Sequence, residues 1–115
     1  MKAQSEVDRM NLNAADEAGL ESAARIFRAM GDIPRLRTLA ILSRGEACVS
    51  DIAAATNEEL STISQRLRVL RSENLLNRRR RGKHVLYSVA DQHVSSMIFD
   101  ALAHAVEKPR MKGKA

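Results

Sequence analysis

The spacing of apolar residues departs from the helical period in one segment of this chain, and that departure limits the folds that the chain can adopt. Upstream of position 75, apolar residues recur at intervals of three and four, the period of an α-helix. In LLNRRRRGKHVLYSV, residues 75–89, two apolar ends flank a glycine, and the β-formers Val85, Tyr87 and Val89 recur at intervals of two. This segment predicts a β-hairpin with its tip near Arg81-Gly82-Lys83. The chain is therefore expected to be helical apart from one hairpin.

Residues that stop and start helices divide the remainder of the chain. Gly31 and Gly45 end two helices, and Asp32 caps the second of them, with Pro34 in its first turn. The further helices are expected at about Ser50–Thr56, Ser61–Asn74 and Asp91–Glu107. Helix–turn–helix followed by a hairpin is a winged helix-turn-helix arrangement, so the predicted fold is mainly α with a small β-hairpin.

The core of this domain must be aliphatic. Aromatic residues make up only 3% of the sequence, whereas hydrophobic residues as a whole make up 44%. A chain of 115 residues is expected to form one domain, and a core this small gains stability by sharing a surface with a second copy. We expect a flexible segment at 1–13, the domain at 14–107 and a basic flexible tail at 108–115.

The formal charge of +5 indicates an anionic partner, with nucleic acid the first choice and an acidic membrane surface the second. No apolar run approaches the roughly 18–20 residues that span a bilayer, and the N-terminus has no apolar region of the kind found in secretion signals. One cysteine cannot form an internal disulfide, which fits a reducing compartment. The expected protein is soluble and cytoplasmic, with no membrane partner.

The second helix of the predicted helix–turn–helix carries the short polar groups that reach base edges in DNA. Its N-terminal part would enter the major groove, so Thr62, Gln65 and Arg66 are the candidates for base contact. Gln pairs with the adenine edge and Arg with guanine, whereas Ser61 and Ser64 are expected to donate to phosphates. The alternative is an ordinary exposed helix. The residues predicted to face solvent, and with it DNA, are Ser61, Thr62, Ser64, Gln65, Arg66 and Arg68.

The densest charge in the chain is the run of arginines at 78–81, followed by Lys83. On a strand, alternate side chains point to opposite faces, so about half of this run can meet one surface. Arg79, Arg81 and Lys83 are the residues expected to contact the DNA backbone, which gives affinity that depends on salt and not on sequence. The alternative is a solvated edge strand that discourages aggregation. His84 is expected to contact the backbone or to have no role, not to bind metal.

The last helix places possible metal ligands at both of its ends. His93 and His104 are 11 residues apart, so they share a face but lie about 16 Å apart along the axis. His104 and Glu107 are neighbours at i and i+3, whereas Asp91 can converge with His93 only from the cap position before the helix. Each end is half of a site. Antiparallel pairing of this helix with that of a second copy would complete two identical sites at a homodimer interface, each with two imidazole nitrogens and two carboxylate oxygens, as a tetrahedral ion requires.

Three segments, MGDIPRLRTLAILSRGEACVSDIAAAT, STISQRLRVLR and GKHVLYSV, resemble the ArsR/SmtB family of bacterial winged-helix, metal-sensing repressors. The resemblance extends over roughly residues 21–107, and it implies a homodimer that binds an inverted-repeat DNA operator and is released by metal. It also implies a hydrogen bond from His104 toward Asn74, near the end of the recognition helix. The zinc ligands that it implies are Asp91, His93, His104 and Glu107.

The ligand types of this site indicate the metal. Imidazole and carboxylate suit Zn(II) first, with Co(II) close behind, and Ni(II) would need further ligands. Some relatives build a thiolate site around CxC, but Cys48 is the one cysteine of this chain and Ser50 holds the second position. One alternative is a metal-independent winged-helix repressor whose last helix only dimerises. Another, a zinc hydrolase, is disfavoured because four protein ligands leave no open coordination position, so we expect no enzyme and no small organic substrate.

Overall fold

The structure, a computed structural model, describes residues 13–107. Its order of elements and its single two-stranded antiparallel sheet confirm the prediction of a mainly helical winged helix-turn-helix fold. The expected tail at 108–115 and residues 1–12 of the expected N-terminal segment lie outside the described residues. The elements are α1 (Ala14–Met30), α2 (Ile33–Arg44), α3 (Val49–Thr56), α4 (Leu60–Ser72), β1 (Leu76–Arg81), β2 (His84–Val89) and α5 (Gln92–Val106).

Local sequence determines where the helices begin. Asn13, which the sequence assigned to the flexible segment, caps α1 in a capping box with Asp16: the Asn13 side chain accepts from the Asp16 backbone N at 2.9 Å, and the Asp16 carboxylate accepts from the Asn13 backbone N at 3.2 Å. Asp32 caps α2 as predicted, by accepting a hydrogen bond from the backbone N of Arg35 at 3.1 Å. Pro34 occupies the first turn of α2, where the missing N–H costs nothing.

The hairpin, which forms the wing of this fold, has its tip where the sequence predicted it. β1 and β2 pair antiparallel from Leu76 opposite Val89 to Arg81 opposite His84. Gly82 lies in the connecting turn with φ 62°, a backbone conformation that residues with a Cβ rarely adopt. The wing is therefore closed by a turn that favours glycine at this position.

A backbone link joins the wing to the segment that precedes α3. The backbone N of Ala47 donates to the carbonyl O of Tyr87 at 3.0 Å, and the backbone N of Tyr87 donates to the carbonyl O of Ala47 at 2.8 Å. This isolated bridge makes Ala47 a one-residue third strand beside β2. The start of the helix–turn–helix and the wing are consequently held together by main-chain hydrogen bonds.

The core is aliphatic, as the composition predicted, with Tyr87 as its one aromatic member among the described residues. Every helix and both strands contribute to it, but α1 contributes only the residues of its last turn, Ala29 and Met30. Full burial of one large aliphatic side chain stabilises the fold by about 1.5–3 kcal/mol. The aliphatic residues with no exposed surface are Leu39, Ile52, Ile63, Leu70 and Ile98.

The helices at the two ends of the described chain, α1 and α5, leave apolar side chains exposed. Much of the apolar surface of these two helices does not enter the core of this chain. Exposed apolar surface on two neighbouring elements is typical of a protein–protein interface. The side chains concerned, with their exposed fractions, are Leu20 (51%), Phe27 (62%), Phe99 (50%), Leu102 (41%) and Val106 (78%).

Candidate DNA interface and metal half-sites

The recognition helix α4 begins at Leu60, one residue earlier than predicted, and ends at Ser72. Asn74, predicted to lie at its end, follows the helix with φ 59°. The apolar stripe of α4 faces the core, and Ile63, Leu67 and Leu70 are buried as the helical period predicted. Five of the six residues predicted to face solvent do so, namely Ser61, Thr62, Ser64, Gln65 and Arg68.

The prediction that Arg66 faces solvent is wrong, because this residue is only 8% exposed. Its two terminal nitrogens donate to the two carboxylate oxygens of Glu58 at 2.8 and 2.7 Å, and one of them also donates to the Thr38 hydroxyl at 3.1 Å. Position 66 is three residues beyond Ile63, on the border of the buried stripe. There the Arg66 guanidinium forms an ion pair with the Glu58 carboxylate. No spacing rule within one helix predicts these contacts, since Glu58 lies in the turn before the helix and Thr38 lies in α2.

The charges of this pair shift both pKa values in the direction that keeps the pair ionised. Hydrogen bonds from Arg66, and then from Thr56, lower the pKa of Glu58 to about 2. The hydrogen bond to Glu58 raises the pKa of Arg66. The two groups therefore remain charged at any pH near neutrality, and Arg66 is held away from the exposed face of α4.

The arginines of the wing are exposed and divide between two faces. In an antiparallel pair, residues directly opposite each other point to the same side of the sheet. Arg78 is opposite the buried Tyr87, so it lies on the face turned toward the core, and Arg80 lies there too. Arg79, opposite Leu86, is on the outer face. The predicted contacts Arg79, Arg81 and Lys83 are all exposed.

Arg79 is held by a carboxylate on the outer face of the wing. Its Nε donates to Glu46 Oε2 at 3.0 Å, and a terminal nitrogen donates to the other oxygen of the same carboxylate. The hydrogen bond from Arg79 lowers the pKa of Glu46, and the same bond raises the pKa of Arg79. A phosphate contact by Arg79 would therefore have to replace a bidentate ion pair, a condition that the described structure does not impose on Arg81.

Each end of α5 brings together one imidazole and one carboxylate. Asp91 is the N-cap of α5, as predicted, and its Oδ1 accepts from the backbone N of Val94 at 3.2 Å and lies 3.6 Å from His93 Nδ1. At the other end, His104 Nδ1 lies 3.7 Å from Glu107 Oε1. The two imidazoles are 93% and 88% exposed. The helical spacing predicted these two imidazole–carboxylate pairs, and they are the candidate half-sites.

Neither half-site is a complete metal site within one chain. Among residues 13–107 there is no group of three or more His, Cys, Asp or Glu side chains placed to hold a metal ion together. A zinc site needs four ligands, or three and a water. The exposed nitrogen and oxygen of each pair amount to half of that set.

Asn74 lies at the Asp91/His93 end of α5. It lines an open recess with both of these residues and with Arg25 of α1 and Glu73. His104 is near the opposite end of the helix, so the described residues of one chain do not bring it beside Asn74. The predicted hydrogen bond between them is therefore available only between chains.

Cys48 lies at the start of α3 as a free, half-buried cysteine. Its Sγ is 3.1 Å from the hydroxyl of Ser50, the residue at the second position of the CxC pattern. Its backbone N donates to the carboxylate of Asp51 at 3.4 Å. These contacts place the cysteine in the cap of α3 and add no metal ligand to the half-sites on α5.

A helix–turn–helix with exposed polar groups on its second helix, next to a basic hairpin, defines a winged helix-turn-helix DNA-binding regulator. The model of the family described as bacterial regulatory protein, arsR family, matches residues 34–78. Together with the relatives below, this match shows that the chain belongs to the arsR family. The predicted family resemblance is thus confirmed.

Two curated relatives and one solved structure illustrate the family. A transcriptional repressor SmtB homolog of Synechocystis sp. is 41% identical over 87 residues, which span 76% of this chain and 66% of that protein. A cadmium resistance transcriptional regulatory protein CadC homolog of Staphylococcus aureus is 31% identical over 105 residues, or 90% of this chain and 86% of that protein. The solution structure of the homodimeric winged helix-turn-helix domain of Mb0332 from Mycobacterium bovis has a TM-score of 0.75 at 32% identity and covers 83% of this chain and 88% of its own. These relatives are transcriptional regulators, which confirms the prediction that the chain is not an enzyme.

Proposed function

We propose that this protein is a homodimeric transcriptional repressor that binds an inverted-repeat operator and is released when Zn(II) binds between the terminal helices. The observation that carries the proposal is the pairing of one imidazole with one carboxylate at each end of α5, at Asp91/His93 and at His104/Glu107. Both pairs are exposed, so they are free to be completed by a second chain. Co(II) or Ni(II) are the other candidate ions.

The exposed apolar faces of α1 and α5 support the homodimer. Phe99 and Leu102 lie on α5 between the two half-sites, and both have large exposed apolar surfaces. Association of two chains through α1 and α5 would cover these side chains. An antiparallel arrangement of the two α5 helices would place each Asp91/His93 pair next to the His104/Glu107 pair of the second copy. The apolar side chains therefore favour association, and the antiparallel arrangement completes the proposed metal sites.

The donor set suits the proposed ion. Two nitrogens and two oxygens are a tetrahedral set for Zn(II), which when bound supplies a rigid cross-link between the two chains. The proposed ligand Asp91 is held in position by the cap of α5, because its carboxylate also accepts the hydrogen bond from Val94. The absence of a second cysteine in this sequence leaves no thiolate site that would favour a softer ion.

The DNA-reading groups come from α4 and the wing. We assign base contacts to Thr62 and Gln65, which are exposed on the N-terminal half of α4, and phosphate contacts to the wing. Arg66 is not among the proposed base contacts, since it is buried against Glu58. Two copies of α4 would enter successive major grooves about 34–36 Å apart. The proposed phosphate contacts are Ser61, Ser64, Arg68, Arg79, Arg81 and Lys83.

The position of Asn74 suggests how the two sites communicate. Asn74 follows the recognition helix and lines the recess that contains Asp91 and His93. With antiparallel terminal helices, the His104 that reaches this recess belongs to the second copy. Closing the metal site would then place that imidazole beside the end of α4, so we assign the relay to His104 of one chain and Asn74 of the other. Coupling of this kind typically amounts to about 1–3 kcal/mol.

The proposal is tested by measuring operator affinity with zinc and with a chelator. The operator is a DNA fragment that the metal-free protein selects from a random pool. Zinc is expected to weaken binding by the wild type by about 5–150-fold, and by less than about twofold for His104→Ala. His84→Ala is the matched control, because His84 is the histidine of the wing and lies outside α5. Equal affinities of the wild type with zinc and with chelator would favour the metal-independent repressor, and full release of His104→Ala by zinc would refute the ligand assignment.

A further inference from the structure

A buried ion pair joins the recognition helix to two other parts of the chain. Arg66 belongs to α4, Glu58 to the turn between α3 and α4, and Thr38 to α2. The guanidinium donates to both oxygens of Glu58 and to the Thr38 hydroxyl, over distances of 2.7 to 3.1 Å. The recognition helix is thus tied, through one side chain, to the helix–turn–helix turn and to a core helix.

The geometry of these contacts fixes an orientation as well as a distance. A guanidinium that donates two parallel hydrogen bonds to one carboxylate has a defined plane, which a point charge such as an ammonium lacks. The Thr38 hydroxyl is itself fixed, since it has no exposed surface and donates to the carbonyl O of Pro34 at 3.0 Å. Rotation of α4 about its axis would break these bonds together.

Such a rotation would move the groups that face DNA. Thr62 and Gln65 line the same shallow recess as Arg66, between the start of α2 and the exposed side of α4. Side-chain atoms lie about 5–6 Å from a helix axis, so a turn of about 10° displaces them by about 1 Å. A displacement of this size exceeds the tolerance of about 0.5 Å within which a binding constellation works well.

Stability alone is a weak reason for a charged pair in this position. The Arg66 side chain is buried and that of Glu58 is partly exposed, and replacing a desolvated ion pair with apolar side chains of similar volume is often neutral or stabilising. Here Arg66 lies on the helix proposed to read DNA, and Glu58 and Thr38 lie outside that helix. The position of the pair therefore points to orientation as the role.

We propose that Glu58 and Arg66 are positioning residues for DNA reading: they set the rotation of α4 so that Thr62 and Gln65 meet base edges. The inference rests on the proposed DNA-binding function. It predicts that the pair contributes to discrimination between operator and unrelated DNA, and that it contributes little to the sequence-blind affinity supplied by the wing.

Three variants break the pair in different ways. Glu58→Gln keeps the shape and removes the charge, Arg66→Lys keeps the charge and removes the planar fork, and Glu58→Leu with Arg66→Met replaces the pair with apolar groups. Arg25→Met is the matched control, because Arg25 faces the carboxylate of Glu73 at 3.7 Å but is half exposed. Circular dichroism and thermal melting establish which variants fold. If the double variant with apolar side chains does not fold, Glu58→Gln decides the outcome.

The measurement is the dissociation constant for the selected operator and for unrelated DNA, at one salt concentration, by fluorescence anisotropy. The dissociation constant for unrelated DNA divided by that for the operator is expected to fall about tenfold in each folded variant, with binding to unrelated DNA within about twofold of the wild type. The control is expected to keep the wild-type ratio. An unchanged ratio in folded Glu58→Gln and Arg66→Lys, or an equal loss on both DNAs, would overturn the inference.

Repeating the selection from random DNA separates a positioning role from direct reading by Arg66. Loss of positioning is expected to weaken preference at several base pairs, whereas loss of a base contact relaxes one. If Arg66 left Glu58 to read a base, Glu58→Gln would preserve or strengthen operator binding, which would also overturn the inference. A wild type that selects no DNA would instead refute the proposed function.

Discussion

The recognition helix and the terminal helix place their polar groups in opposite ways. On α4, Arg66 is buried and finds all of its partners within the same chain. On α5, His93 and His104 are 93% and 88% exposed, and each has a single carboxylate nearby. The surface that reads DNA is thus assembled when one chain folds, whereas the proposed metal site forms only when two chains meet. A sensor built in this way separates the folding of its reading surface from the assembly of its switch.

The largest expected effect tests whether the proposed metal site forms between two chains. The experiment mixes two variant chains, each of which lacks one of the two candidate half-sites. One chain carries Asp91→Ala and His93→Ala, and the other carries His104→Ala and Glu107→Ala. Each homodimer lacks half of both sites, so its zinc affinity is expected to fall by more than about 100-fold, beyond the loss caused by second-layer changes. The mixed dimer keeps one complete site, and calorimetry is expected to find one tight zinc ion per dimer.

The mixing experiment needs a control for exchange of chains. Native mass spectrometry of the mixture measures the fraction of mixed dimer, which sets the expected amount of bound zinc. No recovery of tight binding in a sample that contains the mixed dimer would show that the four ligands do not meet across an antiparallel pair of helices.

A smaller effect is expected when the apolar face of α5 is made polar. Leu102→Asp removes apolar contact at two positions of a symmetric dimer, and the loss of about 2–3 kcal/mol weakens dimerisation about 30–100-fold. Leu60→Asp is the control, since Leu60 is 56% exposed at the start of α4, on the DNA side. Sedimentation equilibrium compares the two. Unchanged dimerisation of Leu102→Asp would show that this part of α5 does not lie at the dimer interface.

The wing offers a comparison within the DNA-binding half. Each lost phosphate contact lowers the salt slope of DNA binding by about 0.9, so Arg81→Gln is expected to weaken binding about threefold at moderate salt. Arg79→Gln is expected to change the slope less, because Glu46 already holds this guanidinium. Glu46→Gln is expected to strengthen binding to unrelated DNA, and Arg28→Gln at the end of α1 serves as control. Equal slopes for Arg79→Gln and Arg81→Gln would show that Glu46 gives way to phosphate without cost.

The smallest expected effect is a loss of folding stability at acid pH, and it arises within a single chain. Folding lowers the pKa of Glu58 from 4.5 to about 2, so its charge stabilises the folded state above pH 4.5 and this contribution is lost as the pH falls from 4.5 toward 2. Glu58→Gln is expected to lose less stability than the wild type over that range, with Glu59→Gln as control. Urea unfolding at several protein concentrations checks this. Parallel losses in wild type and Glu58→Gln would contradict the assignment.

Local signals made most of the fold predictable. Gly31 with Asp32 defined a helix boundary, and Gly82 defined the tip of the hairpin, because each choice depends on a few neighbouring residues. Apolar residues at helical spacing upstream of position 75 also indicated that α1 has an apolar face, but this spacing cannot distinguish a face that enters the core from one that remains exposed. The exposure of that face required the tertiary structure.

The sites were predictable only as far as their residues are close in sequence. The spacing within α5 predicted the imidazole–carboxylate pair at each of its ends, and Asp91 was identified as a cap because carboxylates favour that position. The environment of Arg66 was missed because its hydrogen bond to Thr38 joins residues 28 positions apart. No pattern within one helix reveals a partner at that distance.

The bridge between Ala47 and Tyr87 has a consequence for how such a regulator diversifies. Both of its hydrogen bonds are made by main-chain atoms, so substitutions at the wing tip leave the attachment of the hairpin intact. Evolution can therefore exchange charges and lengths at the tip to suit new promoters while the hairpin continues to move as one body with the start of α3. Members of a family that share this bridge can therefore differ in their DNA targets while they keep the same fold.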